Sequence, residues 1–220
     1  MAPISDGYPV VLRLEGRRVL VVGAGPVAAR KLQALLGAGA AVTVVAPLVV
    51  GPISELAEAG RIDLVRRAYE HRDLDGVQLV IVSTDDAPTQ QQVFADCQAR
   101  GLWCNAADDP DNCSFILPAV ARRGPVIVAV STQGSSPALA GVLRDIVAEA
   151  LPANVEAVAA QLGGERSAMR AQGRSTESVD WRPRVRALLS SRPPQELARV
   201  DKSDTSFAFV EEAVDDQDQG

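Results

Sequence analysis

The sequence predicts an α/β fold with an N-terminal doubly wound parallel sheet, followed by a smaller mixed unit and a helical end. Three observations predict it. Short Val/Ile-rich runs alternate with helical stretches across the first 130 residues, the runs are apolar throughout rather than at every second position, and the pattern changes after about Asn112. Continuous apolar runs mark strands buried on both faces, and their alternation with helices marks parallel β-α-β units. At 220 residues the chain fits one large domain or two modest ones. With only 4% aromatic residues, its core is built from Val, Leu, Ile and Ala.

The predicted strands are Arg18–Val22, Ala41–Val45, Ile62–Val65, Leu79–Val82, Leu102–Asn105 and Val126–Ser131. Between the first two, Pro26–Leu36 reads as a helix, with Pro at its start and Gly37 as a stop after Leu32, Leu35 and Leu36. Pro88–Arg100 reads as another, with Val93, Phe94 and Cys97 on its inner side. Phe115–Val120 and Val126–Ser131 look like two strands joined by the turn Ala121-Arg122-Arg123-Gly124-Pro125. Pro137–Leu151 is a helix with Leu139, Val142, Leu143, Ile146 and Val147 on one face. Ala153–Leu162 and Arg182–Leu189 are shorter helical stretches separated by Gly/Ser-rich Gly163–Ser178. The resulting domain boundaries are 1–112 for the sheet domain, 113–150 for the mixed region, 151–200 for the helical part and 201–220 for the tail.

Charge and apolar runs exclude several functions. The net charge of −6 sits in the tail: Asp201–Gly220 holds seven acids and one base, leaving 21 acids and 21 bases over residues 1–200. A neutral body lacks the positive footprint of a nucleic-acid-binding protein. The acidic end reads as a solubilising, disordered tail. No apolar run approaches the ~18 residues that span a bilayer, and no secretory signal opens the chain, so a soluble cytoplasmic protein is expected. Cys97, Cys104 and Cys113 form no CxxC pair; Cys97 and Cys104 read as small buried hydrophobes.

Val19–Val22 runs into Gly23-Ala24-Gly25-Pro26-Val27-Ala28, a strand, a G-x-G-x-x-A turn and a helix. This is the dinucleotide-binding arrangement of a Rossmann domain. Gly23 permits the tight turn, Gly25 lets the backbone approach a pyrophosphate, and Ala28 allows close helix–strand packing. At the end of the second strand, ~20 residues on, an acid usually holds the ribose 2′-hydroxyl. Here the chain reads Val45-Ala46-Pro47-Leu48, with neither acid nor Arg, so side-chain charge does not separate NAD from NADP. Backbone groups around Pro47 and Leu48 are the expected contact for the adenosine end. The fourth strand ends in Ser83-Thr84-Asp85-Asp86, which puts Thr84 and Asp85 at the nicotinamide half, while Asp86 serves equally well as a helix cap. The densest polar cluster, Asn105 to Phe115, follows the fifth strand on the same edge. A carboxylate there can act as general base or metal ligand, or merely close an Asp-Pro turn. His71 reads as solvated.

Tyr8-Pro9-Val10 to Gly16, VLVVGAGPVAARK, NAADDPDNCSFILPA and RRGPVIVAVSTQGSSPALAGVLRD, in this order, resemble the siroheme synthase N-terminal family, the precorrin-2 dehydrogenase and sirohydrochlorin ferrochelatase family. The resemblance runs from about Tyr8 to Leu151 and less clearly to about residue 200. It implies a homodimer with an NAD-binding Rossmann domain, a dimerisation region and a small helical domain. It also implies NAD-dependent oxidation of the tetrapyrrole precorrin-2 to sirohydrochlorin, and in bifunctional members Fe²⁺ insertion to give siroheme. Asp108 falls on the family's essential aspartate, the last residue of N-x-x-D from Asn105. Gly23, Gly25, Pro26 and Val27 fall on the cofactor loop, and Pro47 and Leu48 on the second cofactor contact. Ser131, Thr132, Gly134 and Ser136 match the S-T-x-G-x-S-P loop, assigned with Asn105 to the tetrapyrrole pocket. Asp108, with Cys113 contributing, is the expected transient metal contact, and Arg122, Arg123 and Arg144 are candidate anchors for substrate carboxylates. The rival reading is a non-catalytic NAD-sensing Rossmann module, which needs the glycine loop but neither Asp108 nor the S-T-x-G-x-S-P loop.

Overall fold

The computed structural model describes residues 7–106 and 113–191. Five strands form one parallel sheet: β1 (Arg18–Val22), β2 (Ala41–Val45), β3 (Asp63–Val65), β4 (Leu79–Val82) and β5 (Trp103–Ala106), in the order β3-β2-β1-β4-β5. The register aligns Val22 with Val45 and Val82, and Val82 with Ala106, so the strands' C-terminal ends share one edge. Strand order reverses between β1 and β4, and such a switch point opens the crevice where α/β sheets take ligands.

The two faces of the sheet have separate cores. On one, Val19, Val21, Val42, Val44 and Ile81 pack with Ala28, Leu32 and Leu35 of α1 (Pro26–Gly37) and Ile53 of α2 (Gly51–Glu58). On the other, Leu20, Val22, Val80 and Val82 pack with Val93 and Cys97 of α3 (Ala87–Arg100) and Leu74 of a 3₁₀ turn, His71–Leu74. Alternate residues of each strand thus serve opposite faces. The β3 and β5 boundaries are each shifted by one residue from expectation, because Ile62 and Leu102 pack inward just before the ladder starts.

Two expectations are corrected further on. β6 (Ala119–Arg123) and β7 (Val126–Val130) pair as a two-stranded sheet, so the first strand begins at Ala119 and not Phe115. Pro118 lacks an N–H to donate, and the Phe115 carbonyl accepts from the Asn105 side chain instead of a strand. After α4 (Pro137–Ala150), α5 runs as one helix from Val155 to Ala171, through the Gly163-Gly164 pair expected to end it. Each glycine costs a helix about 1 kcal/mol against Ala, and the flanking Gln161, Leu162, Glu165, Arg166, Ala168 and Met169 are mostly good helix formers. α6 (Arg182–Ser190) follows.

Contacts divide the chain into Met1–Ala121 with Val128–Ala148, and Arg122–Ile127 with Glu149–Gly220. In the second unit, α5 and α6 are joined by Arg184 to Glu165 at 2.6 Å, and Asn154 Nδ2 donates to the Leu188 and Ser191 carbonyls at the end of α6. The expected tail, 201–220, lies outside the described residues. No helix among those described is long and apolar enough to cross a membrane.

Candidate functional site

The glycine loop lies at the switch point, laced to its neighbours by backbone bonds. The Gly23 N–H donates to the Val45 carbonyl at 2.9 Å, Ser83 N–H to the Val22 carbonyl at 2.7 Å, and Val50 N–H to the Ala24 carbonyl at 3.1 Å. Gly23 has φ +100°, and a Cβ there would stand 2.4 Å from the Ser83 carbonyl oxygen. Its glycine is therefore set by the close approach of β4's end as much as by the turn.

Gly25 differs. Its φ of −87° suits any residue, and a Cβ would meet nothing within 4 Å. Neither backbone conformation nor protein packing requires glycine there. Gly25 is the N-cap of α1, with Pro26 in the first turn and no side chain capping the helix. The first-turn N–H groups thus face open space at the positive end of the helix dipole, a site for an anion. Ser83 Oγ, beside this loop, is buried without a hydrogen-bond partner. These residues fit a dinucleotide pyrophosphate, with Gly23, Gly25, Pro26 and Val27 around it.

Pro47 and Leu48 are exposed past the end of β2, Leu48 at 84%. At the end of β4, Thr84 Oγ1 accepts the Asp86 N–H at 3.2 Å and Asp85 is exposed. Asp86 caps α3, accepting the Thr89 N–H at 3.0 Å, which decides for the structural one of its two expected roles.

Asn105, at the end of β5, is 7% exposed and fully engaged. Its Oδ1 accepts from Lys31 Nζ of α1 at 3.1 Å, and its Nδ2 donates to the Phe115 carbonyl at 3.0 Å and to Cys113 Sγ at 3.5 Å. Cys113 Sγ also accepts the Ala106 N–H at 3.2 Å, and Ser114 Oγ accepts the Cys104 N–H at 2.7 Å. These bonds tie Cys113, Ser114 and Phe115 back to the end of β5. Asp108 falls in that stretch and lies outside the described residues. Lys31 is the member that sequence reasoning missed: 74 residues separate it from Asn105, and no local pattern signals such a pair.

Ser131, Thr132, Gly134 and Ser136 form the turn that starts α4. Thr132 Oγ1 accepts the Ser136 N–H at 3.0 Å, Ser131 Oγ accepts the Gln133 N–H at 3.1 Å, and Ser136 Oγ accepts the Leu139 N–H at 3.2 Å. Gln133 at φ +53° and Gly134 at φ +84° are both left-handed, and Gln133 is the only such non-glycine among the described residues.

Of the arginine candidates, Arg122 is exposed, and Arg123 and Arg144 are structurally committed. Arg123 donates to the Leu151 carbonyl at 2.9 Å, and Arg144 pairs with Asp145 at 2.7 Å. His71 Nδ1 lies 3.1 Å from Asp96 Oδ1, a partner that solvation alone did not anticipate. Tyr69 donates to the other Asp96 oxygen at 2.9 Å, and burial, with that bond, pushes its phenol well above the ordinary range. Cys97 and Cys104 are both buried, and the hydrogen bond between them together with burial pushes the Cys104 thiol up, away from a reactive thiolate. No group of three metal-ligating side chains occurs among the described residues.

Fold, switch point and open glycine loop define a dinucleotide-binding protein. Residues 10–119 match the family model described as putative NAD(P)-binding. A solved structure, "SirC, precorrin-2 dehydrogenase", is 30% identical with a TM-score of 0.65, over 83% of this chain and 87% of that one. The chain belongs to this precorrin-2 dehydrogenase branch of NAD(P)-binding proteins. It is also 38% identical over 211 residues to siroheme synthase 1 of Aeromonas salmonicida (92% of this chain, 44% of that protein). It is 46% identical over 139 residues to siroheme synthase of Pseudomonas entomophila (63% and 30%). The chain spans less than half the length of these siroheme synthases.

Proposed function

We propose that this chain is an NAD-dependent precorrin-2 dehydrogenase making sirohydrochlorin in cytoplasmic siroheme synthesis. The observation that carries the proposal is Gly25: nothing among the described residues requires a glycine there, yet it heads an uncapped helix at the switch point. Membership of the precorrin-2 dehydrogenase branch supplies the substrate class.

Gly23, Gly25, Pro26 and Val27 hold the pyrophosphate, Pro47 and Leu48 the adenosine end, and Thr84 and Asp85 border the nicotinamide half. When bound, NAD supplies the hydride acceptor. The oxidation also releases a proton, and Asp108, three residues beyond Asn105, is the group that takes it. The β5 end adjoins the β4 end through the Val82–Ala106 register, which supports this reading. Asn105 acts mainly as a structural anchor through Lys31, Phe115 and Cys113, while Ser131, Thr132, Gly134 and Ser136 line the tetrapyrrole.

The same chain inserts Fe²⁺ into sirohydrochlorin, with Asp108 accepting pyrrole protons and guiding the metal as substrate. Fe²⁺ insertion faster than in a protein-free control is the expected result, and an equal rate removes this second activity. The protein works as a homodimer. Leu139, Val142, Leu143, Ile146 and Val147 form an apolar stripe on α4 at helical spacing, and all are exposed, Val142 at 57% and Ile146 at 56%. A second copy is the proposed cover. The dehydrogenase is tested by turnover of precorrin-2 with NAD⁺ under anaerobic conditions, followed as NADH and sirohydrochlorin absorbance.

A further inference from the structure

Resting on the dehydrogenase reading above, we propose that Lys31 is a positioning residue for the oxidation. Through Asn105 it locks the end of β5, from which the N-x-x-D run continues, to the helix that carries the cofactor site. Lys31 lies on α1, six residues after Gly25, and the uncapped first turn of that helix is the proposed pyrophosphate site. Asn105 lies three residues before Asp108, and its Oδ1 accepts from Lys31 Nζ at 3.1 Å. One helix thus meets the cofactor at its start and the β5 end about a turn and a half later.

The sheet sets this meeting. Asn105 is in register with Ile81, and Ile81 packs in the core on the α1 side, so the Asn105 side chain faces α1. There its amide is held in one orientation. An ammonium only donates, so it draws Oδ1 towards Lys31 and leaves Nδ2 to donate to the Phe115 carbonyl at 3.0 Å and Cys113 Sγ at 3.5 Å. Cys113 Sγ also accepts the Ala106 N–H at 3.2 Å. Asp108 falls between Ala106 and Cys113 in the sequence, so the described residues flanking it are held by the amide that Lys31 orients. Stability alone would be served as well by an apolar pair at 31 and 105, which avoids drawing an ammonium and an amide out of water. A partly buried Lys–Asn pair instead specifies one arrangement of the β5 end.

The test is anaerobic oxidation of precorrin-2 by the full chain as wild type, Lys31→Met, Asn105→Leu and the double variant. NAD⁺ affinity and the number of NAD⁺ sites per chain are measured on each. In Lys31→Met, the Kd for NAD⁺ and the KM for precorrin-2 should stay within about threefold of wild type, while kcat per NAD⁺ site falls at least tenfold. A merely structural lysine would lower the number of sites and leave kcat per site unchanged, and that result overturns the assignment. So does NAD⁺ affinity tenfold weaker in Lys31→Met, which makes Lys31 a cofactor contact. Because Lys31 acts through Asn105, the double variant should lose no more kcat than the worse single one, and losses that multiply overturn that route. If Asn105→Leu yields no NAD⁺ sites, the Lys31→Met result decides alone. All these failures leave the dehydrogenase reading standing. A wild type that binds NAD⁺ without oxidising precorrin-2 removes that reading, and this inference with it.

Discussion

Gly23 and Gly25 are two residues apart and identical in type, yet the structure separates their reasons for being glycine. A methyl at Gly23 collides with the Ser83 backbone at a left-handed φ, so Gly23→Ala should lower stability by about 3 kcal/mol in denaturant unfolding. Gly25→Ala meets no protein atom; its cost as a helix N-cap is at most about 1 kcal/mol. Its dinucleotide affinity should nevertheless fall at least tenfold in a binding titration, because the methyl enters the space proposed for the pyrophosphate. The motif was legible in the sequence; this division of labour was not, since it depends on where β4 ends. Asn105 makes the same point. Its place in N-x-x-D suggested a substrate contact, while the structure spends its amide on Lys31, Phe115 and Cys113. Asn105→Ala should destabilise the chain by about 2–4 kcal/mol by stranding buried partners, read as a lowered midpoint of thermal unfolding.

At the scale of elements, the apolar strand runs were legible, while α2 and the glycine-bearing second half of α5 were not. The strands announced themselves because both faces of a parallel sheet are buried. α2 is absent from the expected elements because it is eight residues long and opens with Gly51-Pro52, residues that read as punctuation. α5 passes through Gly163 and Gly164, and a Cβ at either would meet nothing within 4 Å. Gly163→Ala and Gly164→Ala should therefore each stabilise the chain by about 1 kcal/mol, a rise in unfolding midpoint that calorimetry would read. The 3₁₀ turn carries a pH dependence. Burial pushes the Asp73 carboxyl up, but the Arg67 hydrogen bond, the Glu70 N–H and the nearby Arg charges outweigh it and hold the carboxyl below its usual value. A depressed folded-state value stabilises the fold above the unfolded carboxyl range near 3.9, and the stabilisation is lost as pH falls through the lower folded value. Asp73→Asn should shrink this acid-side loss, measured as the change in unfolding midpoint between neutral pH and pH 3.

On the scale of the whole molecule, the apolar stripe of α4 and the catalytic edge make separate demands. The stripe was visible as helical periodicity, which marks a face to be covered without saying by what; it is exposed among the described residues. Val142→Asp with Ile146→Asp should convert the proposed dimer to a monomer in light scattering after size exclusion. The account rests most on the proposal that Asp108, the last residue of N-x-x-D from Asn105, is the proton acceptor. The direct measurement is anaerobic turnover of precorrin-2 with NAD⁺ by the wild type and by Asp108→Ala, with NAD⁺ binding measured on both. Turnover by the wild type, lost at least a hundredfold in Asp108→Ala while NAD⁺ still binds, is the predicted result. NAD⁺ binding without wild-type turnover would contradict it and make the chain a sensor.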